Sequence, residues 1–190
     1  MIKNLLKKLD FKEVSIDLYK KKYLNHNDYE IIVDFKKSKI LYRNDNKTTI
    51  ERKEDKKIQL GDLTTSNFKK DNHPNTQENF VVLECVDRLL VKGYAPNDIH
   101  LERKWKVGHG ASGGKADINV YDKDKKTLFI IECKTWGDEF EKEKVKMEQH
   151  GGQLFTYLQQ DQNTKYISLY ASKFEENIIY TNLIIKIEDR

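Results

Sequence analysis

Between Thr127 and Lys134 lies an apolar run, Leu128-Phe129-Ile130-Ile131, that ends in Glu132-Cys133-Lys134, two charges one residue apart. β-Branched and aromatic residues at both parities predict a buried strand. Strand side chains alternate faces, so Glu132 and Lys134 project to one side and Cys133 to the other. The polar segment Asp122-Lys123-Asp124-Lys125-Lys126 reads as a hairpin turn back to a second strand, Lys115 to Tyr121. Pairing across that hairpin brings Asp117 close to Glu132. Two carboxylates and an ammonium are thereby expected to converge at a sheet edge.

The rest of the chain supplies elements that can build around this hairpin. Ile2 to Leu9 has the pattern of a short amphipathic helix; Val14 to Tyr19, Tyr29 to Phe35 and Lys39 to Tyr42 read as strands of an antiparallel meander, with a turn at Asn25-His26-Asn27-Asp28. Asn44 to Lys57 is polar enough to be a loop, and Phe68 to Asn75 reads as a connector. A helix is predicted from Asn75 or Thr76 to about Lys92, with Gly93 as its stop. After it come strands at His100 to Val107, Lys115 to Tyr121 and Thr127 to Lys134. Helices follow at Glu139 to His150 and Gln153 to Gln160, then a strand at Tyr166 to Tyr170 and short strands near Ile178 and at Leu183 to Ile187. The expected organisation is a β-rich appendage over residues 1–70 and a main α/β domain over 71–190.

Composition bounds the partners and the compartment. The 190 residues are 37% hydrophobic and 35% charged, enough apolar sequence for a core beneath a heavily charged surface. With 35 basic against 31 acidic residues the net charge is +4, so any affinity for a polyanion must come from local charge. The two cysteines, Cys85 and Cys133, and the five histidines have no zinc-finger spacing. The sequence has neither a signal-peptide h-region nor the roughly 18 uninterrupted apolar residues of a membrane helix. A cytoplasmic setting without a membrane is the expectation.

The Asp117, Glu132 and Lys134 cluster suits Mg²⁺, which takes oxygen ligands and commonly uses one or two carboxylates together with substrate phosphate. Such an ion stabilises charge developing at phosphorus and acidifies a bound water, while Lys134 could position that water or neutralise the charge. A plain cross-strand ion pair is the alternative reading. On the helix ending near Lys92, steps of about 100° put Val82, Cys85, Val86, Leu89 and Leu90 on one face. Glu78 falls within that arc, either as a third site carboxylate or as an acid favoured by the helix dipole. Glu84, Asp87 and Arg88 fall opposite, where a solvated face is expected. Gln153 and Tyr157, four apart, share a helix face and could bond the site carboxylates or a phosphate, or Tyr157 could be core. Gly108-His109-Gly110-Ala111-Ser112-Gly113 has the GxGxxG spacing, but a strand follows it rather than a helix, which excludes a dinucleotide site. It reads as a loop that could meet a phosphate backbone with Lys104, Lys106 and Lys115, or as a simple hairpin connection.

Lys115-Ala116-Asp117-Ile118, Ile131-Glu132-Cys133-Lys134 and Gly152-Gln153-Leu154-Phe155-Thr156-Tyr157, led by the helix from Glu78, together resemble the PD-(D/E)xK nuclease superfamily. The form is that of the N-terminal nuclease domain of type I restriction subunits and of fused restriction-methylation proteins, over about residues 76–173. The resemblance implies a restriction-endonuclease-like central mixed sheet flanked by helices, with the antiparallel β appendage in front, and Mg²⁺-dependent hydrolysis of DNA, with Mn²⁺ as a substitute ion. It implies Asp117 and Glu132 as metal-binding acids, the Cys133 backbone carbonyl as a further ligand and Lys134 as the catalytic lysine. Glu78 resembles the acid of the first helix, and Gln153 and Tyr157 the motif of helicase-linked nucleases. Ala116 stands where the superfamily often has proline.

Residues 1–70, including Gly61 to Phe68, are similar to the leader of N-6 adenine methylase fusion proteins with nuclease heads. The chain contains no Asn-Pro-Pro-aromatic methylase motif and no ATPase phosphate loop, so sequence recognition would reside in a fused or associated methyltransferase or specificity domain. The expectation is a cleavage domain for restriction that dimerises on DNA. The alternatives are a repair or recombination nuclease of the same superfamily and a non-catalytic DNA-binding module. Intact Asp117, Glu132 and Lys134 argue against the last.

Overall fold

A computed structural model describes residues 2–27, 29–43, 64–67, 74–104, 115–150, 152–158 and 161–187. The first part contains α1 (Ile2–Lys8) and the strands β1 (Lys12–Ser15), β2 (Leu18–Tyr23), β3 (Tyr29–Asp34), β4 (Lys39–Arg43) and β5 (Thr64–Asn67). They form an antiparallel sheet in the order β1-β2-β3-β4-β5. After it come α2 (Pro74–Val91), β6 (Ile99–Lys104), β7 (Lys115–Tyr121), β8 (Thr127–Thr135), α3 (Asp138–His150), α4 (Gly152–Leu158), β9 (Tyr166–Phe174) and β10 (Ile178–Lys186). Their strands make a mixed sheet, β10-β9-β8-β7-β6, in which β8 and β9 run parallel and the other neighbours antiparallel. The architecture is α/β, with one antiparallel and one mixed sheet.

The parallel pairing explains the position of α3 and α4. Two parallel neighbours cannot be joined by a tight turn, so the chain crosses over through both helices before returning as β9. The crossover covers one face of the mixed sheet with Phe140, Met147, Leu154, Tyr157 and Leu158, packed with Ile130, Ile167 and Leu169. On the other face Ile118, Val120, Ile131 and Cys133 join a core built with α2. A strand covered on both sides needs apolar residues at both parities, as β8 has.

Helix α2 has a start and a stop that sequence chemistry accounts for. It begins at Pro74, a residue whose missing N–H costs nothing in the first turn. It ends at Gly93, whose φ of 98° lets its N–H reach the Leu90 carbonyl at 3.0 Å while the Tyr94 N–H reaches Leu89 at 3.1 Å.

Three expectations are corrected. The single strand from Val14 to Tyr19 is two, β1 and β2, because Asp17 takes a left-handed φ of 63° and turns the chain back; aspartate is one of the few residues that visits this region readily. The short strands near Ile178 and at Leu183 to Ile187 are one strand, β10, in register with β9 from Ile178 opposite Phe174 to Lys186 opposite Tyr166. The third concerns the Glu84, Asp87 and Arg88 face of α2, which is covered rather than solvated. Glu84 is 1% and Asp87 4% exposed, because α2 lies between the two sheets and packs on both. Tyr23 and Lys21 of β2 bond Asp87, the latter at 2.6 Å. Tyr170 of β9 and Arg88 both donate to Glu84.

The expected loop at Asn44 to Lys57, the Gly61 to Phe68 leader apart from β5, most of the Phe68 to Asn75 connector and the Gly108 to Gly113 loop lie outside the described residues. Among the described residues no helix is long and apolar enough to cross a membrane.

Candidate active site

The β7–β8 hairpin forms as its sequence predicts, and its register decides what meets. Ile118 pairs with Ile131, so Asp117 and Glu132 are the next residues along their strands in the same direction. The Cys133 N–H donates to Asp117 Oδ2 at 2.7 Å, which ties the carboxylate to the backbone of the neighbouring strand. Lys134 Nζ donates to Glu132 Oε1 at 2.7 Å, the two side chains sharing a face because they are two apart on one strand. The Cys133 side chain points to the opposite face, buried against Cys85 of α2. Asp117, Glu132 and Lys134 are brought together.

Burial gives the cluster its electrostatics. Glu132 is only 2% exposed, and this desolvation pushes its pKa up to about 8, with the Asp117 charge adding to the rise and Lys134 opposing it. Asp117 is pushed up to about 6 by burial, against the Cys133 N–H and the Lys134 ammonium, which favour its charged form. Burial disfavours the Lys134 charge, but Glu132, Asp117 and Glu78 outweigh it and hold the amine above its usual pKa. Glu78, half-buried near the start of α2, raises both Asp117 and Glu132. The helix acid therefore lies within electrostatic range of the other three groups.

Tyr157 is fully buried and its hydroxyl donates to the Lys115 carbonyl at 2.7 Å. Its bond goes to backbone two residues before Asp117, so α4 holds the start of β7 in place. Gln153 stands four residues earlier on α4, and its side chain lies outside the described residues. Lys115 pairs with Glu102 of β6 at 2.7 Å and also favours the charged form of Asp117. Two contributors were not legible in the sequence: the Cys133 N–H as a brace for Asp117, and the Lys115 carbonyl as the partner of Tyr157. Both are backbone atoms, which residue identities do not reveal.

Glu132 Oε2 is buried and has no hydrogen-bond partner among the described residues. A buried carboxylate oxygen left unpaired is costly, and a cation is the partner that would both satisfy it and favour its ionised form. Two carboxylates side by side, each with its charged form disfavoured, fit a hard divalent ion with oxygen preference. Among the described residues no group of three or more His, Cys, Asp and Glu side chains is close enough to hold a metal by itself. Any such ion must complete its shell with backbone, water or substrate oxygens, as Mg²⁺ does readily.

No curated protein matches the chain. Residues 77–169, the stretch that supplies Glu78, Asp117, Glu132, Lys134, Gln153 and Tyr157, match the family model described as the type I restriction enzyme R protein N terminus, which points to a role in restriction-modification.

Proposed function

We propose that this domain hydrolyses DNA phosphodiester bonds with Mg²⁺, as the cleavage part of a restriction-modification enzyme, on a restriction-endonuclease-like fold. The observation that carries the reading is the buried Glu132 with one unpaired oxygen, beside Asp117 and on the same strand face as Lys134. Asp117, Glu132 and the Cys133 backbone carbonyl would hold the ion. Bound there, Mg²⁺ would supply Lewis-acid stabilisation of charge at the scissile phosphate and acidify an attacking water.

The chain's own groups do the rest. The Cys133 N–H fixes the rotamer of Asp117, so the carboxylate is pre-oriented. Lys134, paired with Glu132 when no ion is bound, stays protonated and can turn its remaining N–H donors toward a phosphate oxygen or a water. Glu78 adds negative potential that favours a cation at the pair. Tyr157 keeps β7 at the distance at which Asp117 reaches Cys133.

The family name supports DNA as substrate and other restriction subunits, carrying specificity and methylation, as partners. Cutting both strands with one such site per chain implies dimerisation on DNA.

The test is cleavage of supercoiled plasmid in Mg²⁺ by the parent chain and by Asp117→Ala and Lys134→Ala. Nicked and linear product from the parent, with both variants at background, is the expected result. Equal cleavage by all three rejects the site. A parent that retards DNA without cutting it identifies a binding module, and a preference for branched or linear DNA over closed circles identifies a repair nuclease.

A further inference from the structure

Directly beyond Lys134 the chain leaves β8 through Thr135 and Trp136 and enters the rim of a cavity of about 300 Å³. Phe80, Trp136 and Phe174 give it an apolar lining, and Gln77, Thr135 and Lys173 bring polar groups to it. Trp136 is 39% exposed, an unusual state for the largest apolar side chain. The Lys173 ammonium stands 5.0 Å from the centre of its ring and also pairs with Glu175 at 2.8 Å.

Two elements that carry candidate-site residues, β8 and α2, also line the cavity. On β8, Trp136 follows Lys134 by two residues, a rise of about 7 Å along an extended chain. On α2, Gln77 in the cavity wall precedes Glu78. The parallel register that sets Lys134 beside Ala171 sets Thr135 beside Ser172, so Lys173 joins the cavity from the next position of β9. This volume is at the small end for ligand sites, room for one flat heterocycle rather than a peptide or a duplex. An exposed indole with polar groups around it matches a nucleobase, which has an apolar face and a polar edge. Lys173, whose ion-pair partner Glu175 also lines the cavity, can turn to the attached phosphate backbone.

We infer that the cavity beside Trp136 is a subsite for one unstacked nucleobase of the DNA strand whose scissile phosphate sits at Asp117, Glu132 and Lys134. The inference rests on the nuclease reading and narrows its substrate. A base must leave the duplex to enter, so DNA that already has an unpaired base at the cut position binds best.

The test uses the full chain with Trp105→Phe, which leaves Trp136 as the sole tryptophan of the two. A short single-stranded oligodeoxynucleotide is titrated in Ca²⁺, following indole emission and the anisotropy of a label on the DNA. Emission should quench in step with binding. In the native-tryptophan chain Trp136→Ala should bind the strand at least about fivefold more weakly, and Trp136→Phe should recover most of the loss. Scanning an abasic nucleotide through the oligonucleotide should reproduce the loss at one position only, a result that needs no variant to fold. Saturating binding with unchanged emission, no binding at all, or an equal effect of every abasic position overturns the subsite. So does emission that changes with protein concentration alone, which would mark a second copy in the cavity. Quenching without plasmid cleavage in Mg²⁺ keeps the subsite and overturns the nuclease reading; cleavage without quenching does the reverse.

Discussion

Glu132 illustrates how one side chain can be a burden to the fold and an asset to a site. Its pKa of about 8 and that of Asp117, about 6, are both raised above ordinary carboxylate values, chiefly by burial. A group with a raised folded-state pKa leaves stability intact at acid pH, below the ordinary carboxylate range, and removes it as pH climbs through the folded value. Metal-free protein should therefore lose thermal stability between about pH 4 and pH 8, and added Mg²⁺ should restore it most strongly at the alkaline end, where ion and proton no longer compete. Melting curves at several pH values with EDTA and with Mg²⁺ measure this; a flat EDTA profile would count against the buried pair. Glu132→Gln removes one titrating charge but keeps the shape, so it should take away the upper part of the EDTA profile, leave the part due to Asp117, and weaken or abolish the Mg²⁺ shift. Tyr157→Phe deletes one hydroxyl whose partner is a backbone carbonyl, at a cost of about 1 kcal/mol. If Tyr157 positions β7, its loss lowers kcat for cleavage more than it weakens DNA binding. Equal effects on both would assign it to packing alone.

At the scale of elements, α2 is the joint of the molecule. One face packs on the mixed sheet and the other on the antiparallel sheet, and its acids Glu84 and Asp87 are buried because partners from both sheets reach them. Arg88 lies over the Tyr180 ring at 3.7 Å and bonds the Tyr170 hydroxyl at 3.1 Å, which links the helix to β9 and β10. Removing the acid from such a cluster leaves its donors without their acceptor. Glu84→Ala should cost toward the lower end of the roughly 3–5 kcal/mol seen when a buried pair is broken, because Arg88 keeps 29% of its side-chain exposure. Leu83, fully buried on the same helix, should cost about 2–5 kcal/mol as Leu83→Ala. Urea unfolding of both variants gives the comparison. The helix pattern showed where α2 runs, from near Asn75 to Gly93, but not that it would be covered on both sides, since amphipathic periodicity reports an apolar face and is silent about a polar face with buried partners.

For the whole molecule the consequence is that α1, β2, β3 and β4 share one core with the mixed sheet through α2. Leu6, Phe11, Tyr19, Ile31, Val33, Ile40 and Tyr42 belong to the same buried cluster as Leu83, Ile118 and Cys133. A fragment beginning at residue 71 would expose that face of α2 and strip Asp87 of Lys21 and Tyr23. Such a fragment should bind a hydrophobic dye and unfold without a sharp transition, whereas the full chain should unfold cooperatively. Cooperative unfolding of the fragment would instead support a separable domain over 71–190. The hairpin with Asp117, Glu132 and Lys134 was determined by sequence alone, because two-residue alternation and a short turn dictate which side chains share a face without help from distant parts of the chain. Only the tertiary structure decided that Glu78 comes within range of that cluster, that Tyr157 holds the Lys115 carbonyl, that β9 lies parallel to β8 and that Glu84 and Asp87 are interior. Each of these depends on contacts between segments far apart in the chain, selected by how whole faces pack and not by any local pattern.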